Sequence, residues 1–296
     1  MIGDGLAARL QRRPLALDPR AATGLLAAAE RVGVASKPES SLLDLFGETE
    51  RAPRVTEDGI AVVPVEGMLV ARADWLSRLF GATDYPGLLD RVREAYAAPG
   101  VRGVLLEIDS PGGEVAGLFD AMEGLAAIRA EAGRPLWAVA SDLAASAAYG
   151  IASVADRILV TRTGEVGSVG VVAMHVDRSG ANAQRGLAVT LIHAGARKTD
   201  GNPHEPLPER VAAEMQRDVD ALHAEFAGLV AAGRGVPREA ILAHESAVFR
   251  GRFAVEAGLA DAVASPAEAI RTFAAALDRG GVRGARRRAT TPERSA

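Results

Sequence analysis

The sequence predicts an α/β protein built on a largely parallel sheet. Two observations carry this. Short β-branched runs alternate with segments of helical periodicity from about residue 60 to residue 265. The clearest run, GVLLEI at residues 103–108, is nearly continuous in apolar residues, which suits a strand covered on both faces.

The elements follow in order. IAVVPVEG (residues 60–67) is a β-branched run ending at Gly and reads as the first strand. Residues 85–97 form a helix, because Leu88, Leu89, Val92 and Tyr96 recur at helical spacing. The strand at 103–108 runs into a sharp loop, Asp109-Ser110-Pro111-Gly112-Gly113. A helix over 114–131 follows, with Glu114 at its positive end. Residues 135–141 are a strand and 144–154 an Ala-rich helix. Further strands are expected at 157–160, 169–174 and 188–193, and a long polar loop at 195–208. The helix over 208–232 carries one apolar stripe: Val211, Met215, Val219, Leu222, Phe226 and Leu229. A last helix opens at Ser265-Pro266-Ala267-Glu268, a capping box with Pro at its first position. No internal repeat is present. Three parts result: an accessory segment over 1–55 with two weak helices, a main domain over 56–265, and a C-terminal helix with an Arg-rich tail over 266–296.

Composition narrows the function classes. The chain has 296 residues, enough for one large domain, with 48% hydrophobic and 24% charged residues. A net charge of −4 asks for no nucleic-acid partner, and the basic cluster over 279–288 reads as a solvated tail. The absence of cysteine excludes disulfides, thiolate nucleophiles and Cys-ligated zinc. No His/Asp/Glu cluster has metal-ligand spacing, so neither metal nor cofactor is expected. The first residues lack a signal-peptide core, and no run of about 18 apolar residues suggests a membrane span. A soluble, cytoplasmic protein is expected.

The residues that point to chemistry begin at DLAASAAYGIA (residues 142–152). Ser146 opens a helix made of the smallest side chains, where another backbone can approach closely. Helix-start N–H groups suit an oxyanion, although a serine in this position also serves as a plain N-cap. The Asp109–Gly113 loop leaves a strand and opens a helix, so it lies at the carboxyl edge of the sheet, where active sites form. Its paired glycines let the backbone turn and present N–H groups.

Four stretches together resemble the signal peptide peptidase A (protease IV) family of serine–lysine peptidases, and within it the phage and prophage head-maturation proteases. They are IDSPGGEV (108–115), ASAAY (145–149), VGSVGVV (166–172) and HAGARKTDGNP (193–203), within a match over 59–263. The resemblance implies a Clp protease/crotonase-like fold with repeated β-β-α units. It implies Ser146 as nucleophile, Lys198 as general base and Ser168 as the residue that positions the lysine. The oxyanion hole would be the N–H groups of Gly113 and Ala147. From the residues themselves, Gly112 lets the loop turn and Asp109 fixes it by accepting backbone hydrogen bonds. The family often has Ser-Gly-Gly-Tyr at the nucleophile; here it is Ser146-Ala147-Ala148-Tyr149, which narrows the space beside the substrate.

Elementary chemistry agrees with a lysine base. A lysine with its ordinary pKa near ~10.4 is charged at neutral pH, and burial lowers that value until it can accept a proton. Lys37 and Lys198 are the only lysines; the rest of the 34 basic residues are arginine, which cannot serve as a base. A histidine base is the alternative, with His175 at a tolerable distance from Ser146, as in the triad of the related Clp subunit. His193 and His204 flank the lysine loop, while His223 on the long helix reads as surface or rim. Trp75, Trp137 and Tyr149 read as packing residues.

The resulting expectation is a serine endopeptidase acting on polypeptides, processing phage capsid or scaffold protein, and self-assembling into a homo-oligomer. Signal-peptide degradation at the membrane surface and crotonase-like acyl-CoA chemistry are the competing functions.

Overall fold

Alternating apolar residues on the central strands sort the core into two layers. In the computed structural model, which describes residues 14–17, 53–73 and 81–279, Ile60–Glu66 (β3) sends Ala61, Val63 and Val65 to one face and Ile60 and Val62 to the other. Gly103–Ser110 (β6) repeats this, with Val104, Leu106 and Ile108 opposite Leu105. Leu136–Ala145 (β8) does the same with Ala138 and Ala140 opposite Trp137 and Val139. Both faces are therefore covered, as a mostly parallel sheet requires.

β3, β6 and β8 run parallel, in register Ile60↔Gly103 and Val104↔Leu136. β8 then splits its free edge. Its first half pairs in parallel with Arg157–Val160 (β9) and its last three residues with Glu165–Gly167 (β10). Antiparallel strands lie at the rims: Arg54–Val55 (β2) on β3 and Val248–Arg250 (β11) on β10. Ala262–Val263 (β12) pairs with β9. A smaller sheet of Leu15–Leu17 (β1), Gly112–Glu114 (β7), Leu69–Val70 (β4) and Thr83–Asp84 (β5), in that order, stands at the carboxyl end of β6.

Helices cover the main layer. Tyr85–Ala97 (α1) is capped by Asp84, whose carboxylate accepts from Gly87 N–H at 2.9 Å. Leu118–Ala132 (α2) packs beside it, and Ala147–Ser153 (α3) packs on α2. The exposed Ser179–Gln184 (α4) stands apart, and Glu209–Arg234 (α5) crosses α3. Small residues set these approaches: a methyl on Gly150 would lie 2.8 Å from the Phe226 ring, and one on Gly233 2.3 Å from Ser153 O. Arg238–Leu242 (α6) and Arg252–Glu256 (α7) are single turns near the C-terminal strands. Pro266–Asp278 (α8), with the expected Ser265/Glu268 capping box, covers the opposite face of the sheet. There Phe273 stacks on Trp137, ring centroids 4.5 Å apart and planes within 6°.

Several sequence expectations change. The helix expected from residue 114 starts at Leu118, because 112–114 are drawn into the small sheet as β7. The strand expected to end at 141 continues to Ala145, and the helix starts after Ser146. Residues 169–174 form no strand; Val172 makes one isolated bridge to Leu15. Residues 188–193 form none either and lie exposed, since nothing among the described residues pairs with their β-branched pattern. The stripe on α5 is buried only from Phe226 onward, with Val211 as an outlier; Met215 and Val219 are half-exposed. The two helices expected within 1–55 and the Arg-rich tail lie outside the described residues, as does Trp75. Within 1–55, Leu15–Leu17 is built into the fold.

Phe273 is fully buried against Gly103 and Trp137, so Phe273→Ala opens a large cavity. It is expected to cost about 3–5 kcal/mol of stability, read as a lower urea midpoint at unchanged slope.

Candidate active site

Ser146 stands at the junction of β8 and α3 in a conformation that L-residues avoid, with φ 55° and ψ −119°. Its side chain makes no capping bond, which removes the plain N-cap reading. Instead the backbone is fastened from both sides. Ser146 N–H donates to Gly167 O at 2.7 Å, and Ser146 O accepts from Gly150 N–H at 2.9 Å. Its hydroxyl makes one long contact, 3.4 Å to Gly170 O, and the residue is buried. Such a turn costs on the order of 1–3 kcal/mol and persists only where its surroundings over-determine it.

The loop from β6 supplies one wall. Ser110 Oγ donates to Gly67 O at 2.6 Å and accepts from Gly112 N–H at 3.2 Å, which fixes the turn. Gly112 has φ 94°, in the region that favours glycine. A methyl there would lie 2.8 Å from Ala145 O and 3.0 Å from Ala147 N, so the loop presses directly on the Ser146 turn. Gly113 is tighter still: a methyl would land 1.8 Å from Leu69 O. Glu114, fully buried, accepts from Ala71 N–H at 2.8 Å and ties β7 to the chain after β4. Gly112 thus seats the loop that carries Gly113 against Ala147 N.

Asp109 lies behind this loop. Its carboxyl is pushed above the ordinary range by partial burial and by the charges of Asp142 and Glu66, while the Leu143 N–H pulls the other way.

The segment after β10 supplies the other wall. Ser168 is buried, has φ 54°, and donates its N–H to Ala247 O at 2.9 Å. Glu245 and Ser246 also have positive φ, and Ser246 Oγ donates to Val169 O at 2.9 Å. All the positive-φ non-glycine residues described therefore lie at the Ser146 turn or in the two segments that meet beside it. The 245–247 support was not legible in the sequence; it has no motif, and only the fold brings it to residues 168–170.

Among the described residues no hydrogen bond joins Lys198 to Ser146. The lysine lies on the exposed stretch over 186–198, its N–H donates to Gly195 O at 3.1 Å, and its ammonium has no partner among the described residues. The Ser168 hydroxyl likewise makes no hydrogen bond among the described residues. The neighbouring loop is ordered by charge: Arg210 pairs with Asp200 at 2.7 Å and with Glu214 at 3.1 Å, and Arg197 also binds Glu214. His193 bonds to Gly195 O at 3.0 Å and His204 to Asn182 at 3.0 Å. His175 has a buried Nε2 without a partner among the described residues and makes no bond to Ser146. His223 reaches Val169 O at 3.1 Å from α5. Tyr149 packs with its hydroxyl on Leu259 O at 2.8 Å.

Comparison with known proteins places these residues in context. The family model "Peptidase family S49" matches residues 128–279. Over 221 residues the chain is 44% identical to the head-tail preconnector protein GP5 of Enterobacteria phage P21, covering 75% of this chain and 44% of that protein. Over 221 residues it is 41% identical to the capsid assembly protease C of Escherichia phage lambda, covering 75% and 50%. A putative signal peptide peptidase SppA of Enterococcus faecium is 27% identical over 234 residues, covering 76% and 67%. The chain thus spans about half the length of the phage relatives. Among solved structures, a ClpP1 mutant from Listeria monocytogenes superposes with a TM-score of 0.42 at 12% identity, covering 70% of this chain and 92% of that one.

Two tests of the site geometry follow. Gly113→Ala is expected to destabilise the protein by more than ~2 kcal/mol in a urea titration, because backbone blocks the added methyl and cannot yield as a side chain does. For Asp109, a raised folded-state pKa means the fold favours the neutral acid. Its contribution is present below the ordinary carboxylate pKa and is lost as pH rises through the raised one. The side chain still meets solvent, so the effect is small. Asp109→Asn is expected to raise the melting temperature by about 1–3 °C at neutral pH, with the gap closing in acid.

Proposed function

The chain belongs to peptidase family S49, and on that footing we propose that it is a serine endopeptidase that processes phage capsid or scaffold protein during head maturation. The observation that carries the reading is the strained, buried Ser146 turn, pressed between Gly112–Gly113 and residues 167–170. A strained serine at the carboxyl edge of a parallel sheet, with two backbone N–H groups beside it, suits acyl transfer. The substrate assignment rests on the 44% and 41% identity to the two phage relatives.

In the proposed reaction, Ser146 Oγ attacks the peptide carbonyl and Gly113 and Ala147 N–H hold the oxyanion. Lys198 takes the serine proton and passes it to the leaving amine. Water then attacks the acyl-enzyme, with Lys198 again as base, and Ser168 holds the lysine in place. For this to happen the 186–198 stretch has to fold over the site and lose its water. Leu187, Val189, Leu191 and Ile192 stand 56%, 45%, 44% and 97% exposed on that stretch, an apolar surface that burial in a homo-oligomer would cover. Among the described residues no helix is long and apolar enough to cross a membrane.

Proteolysis of candidate capsid protein by the wild type, Ser146→Ala and Lys198→Ala tests the reading. Both variants are expected to lose at least ~1,000-fold in kcat with folding intact, since each belongs to one proton-transfer unit. Wild-type rate is expected to climb with pH, because a base lysine works only in its neutral form. Full activity in Lys198→Ala would remove the dyad and move the test to His175.

A further inference from the structure

A strand of the chain itself lies beside the Gly112–Gly113 loop. β1 lies antiparallel to β7, with Leu15 opposite Glu114, Ala16 opposite Gly113 and Leu17 opposite Gly112. Its other edge is taken as well: Leu15 N–H donates to Val172 O, and Val172 N–H donates to Leu15 O, both at 2.8 Å. Pro14 O accepts from Val115 N–H at 3.3 Å. A three-residue strand is therefore sewn between the Gly112–Gly113 loop and the segment that follows Ser168. Leu15, Ala16 and Leu17 are all buried.

Gly112 fixes where this strand sits relative to Ser146. A methyl there would lie 2.3 Å from Ala16 O and 3.0 Å from Ala147 N. The Ala16 carbonyl and the Ala147 N–H thus border the volume of one methyl group, at the turn that carries the serine. A peptide about to be cleaved would place its acyl carbonyl in that position.

We propose that β1 occupies the peptide groove of its own chain, with Ala16 in the acyl position, and that the groove takes extended peptides of the Leu-Ala-Leu type. The inference rests on the peptidase reading of Ser146. Three physical points support it. Both edges of β1 are held by backbone bonds, which any extended peptide can make in its place. Its buried side chains are two leucines and an alanine, so the groove would select a small residue at the centre and branched apolar ones beside it. A tethered occupant acts at a local concentration of order mM, so it competes with a free substrate until displaced.

The chain contains no cysteine, so Leu15→Cys with Val172→Cys introduces a single thiol pair across facing backbones. Oxidation locks β1 in the groove and reduction releases it. The oxidised protein is expected to cleave a reference peptide at least tenfold more slowly than the reduced one, while the cysteine-free parent ignores reductant. Equal rates would overturn the inference. A second readout needs no chemistry. In the Ser146→Ala background, a fluorescent peptide of residues 12–19 is expected to bind at least tenfold more tightly when Leu15→Asp and Leu17→Asp expel β1. If that chain does not fold, the oxidised and reduced cysteine pair in the same background gives the same comparison. Equal binding in both forms would overturn the proposal. Tight binding by a chain with no peptidase activity would leave the occupancy of the groove standing and remove the peptidase reading with the acyl position; activity indifferent to the lock would do the reverse.

Discussion

The structure depends on the turn at Ser146. A non-glycine residue at φ 55° does not hold itself there, and each neighbouring element supplies part of the constraint. β10 takes its N–H through Gly167, α3 returns a bond from Gly150, and the loop after β6 closes against Ala145 and Ala147. The parallel order of β6, β8 and β10 brings all three carboxyl ends to one edge. The sheet matters to the site chiefly because it delivers these ends together.

That arrangement explains the composition. The helix after Ser146 is fully buried and made of AAYGIAS, and its neighbours lie too close for larger residues. Gly150 admits Phe226, Gly233 admits the backbone of α3, and Gly113 admits Leu69. A core assembled by such contacts has little room for rings, so aromatics make up only 4% of the chain. The large aromatic pair, Trp137 and Phe273, is placed on the opposite face under α8, away from the serine.

The main strands and helices were legible because their signals are local. Alternation along β3 and β6, helical spacing in α1, and the Ser265 box of α8 each depend on residues close in sequence. The misses share one cause. Residues 188–193 have strand-like residues but no described partner, and a strand exists only through its pairing. Conversely, PLAL carries no pattern of its own, and β1 exists because β7 and Val172, far along the chain, offer it two edges. Within the site, Ser146 and the paired glycines could be picked out from helix-start and turn chemistry. The positive φ of Ser168 and the support from Ser246 could not, since both are imposed by segments that meet only in the fold.

Lys198 stands on an exposed stretch, and its ammonium makes no hydrogen bond among the described residues. The same stretch exposes four large aliphatic residues, whose burial would offset the cost of desolvating an ammonium group. On the proposed mechanism, covering this stretch and activating the lysine are one event. The proposed occupancy obeys a matching logic: β1, seated against Gly113, would keep an external peptide from the proposed oxyanion donors. On these two proposals, the exposed lysine and the occupied groove would describe a single resting arrangement, with base and substrate both held away from the strained serine. Activity would then be set less by the serine, which is fixed, than by the free energies of moving the lysine in and β1 out.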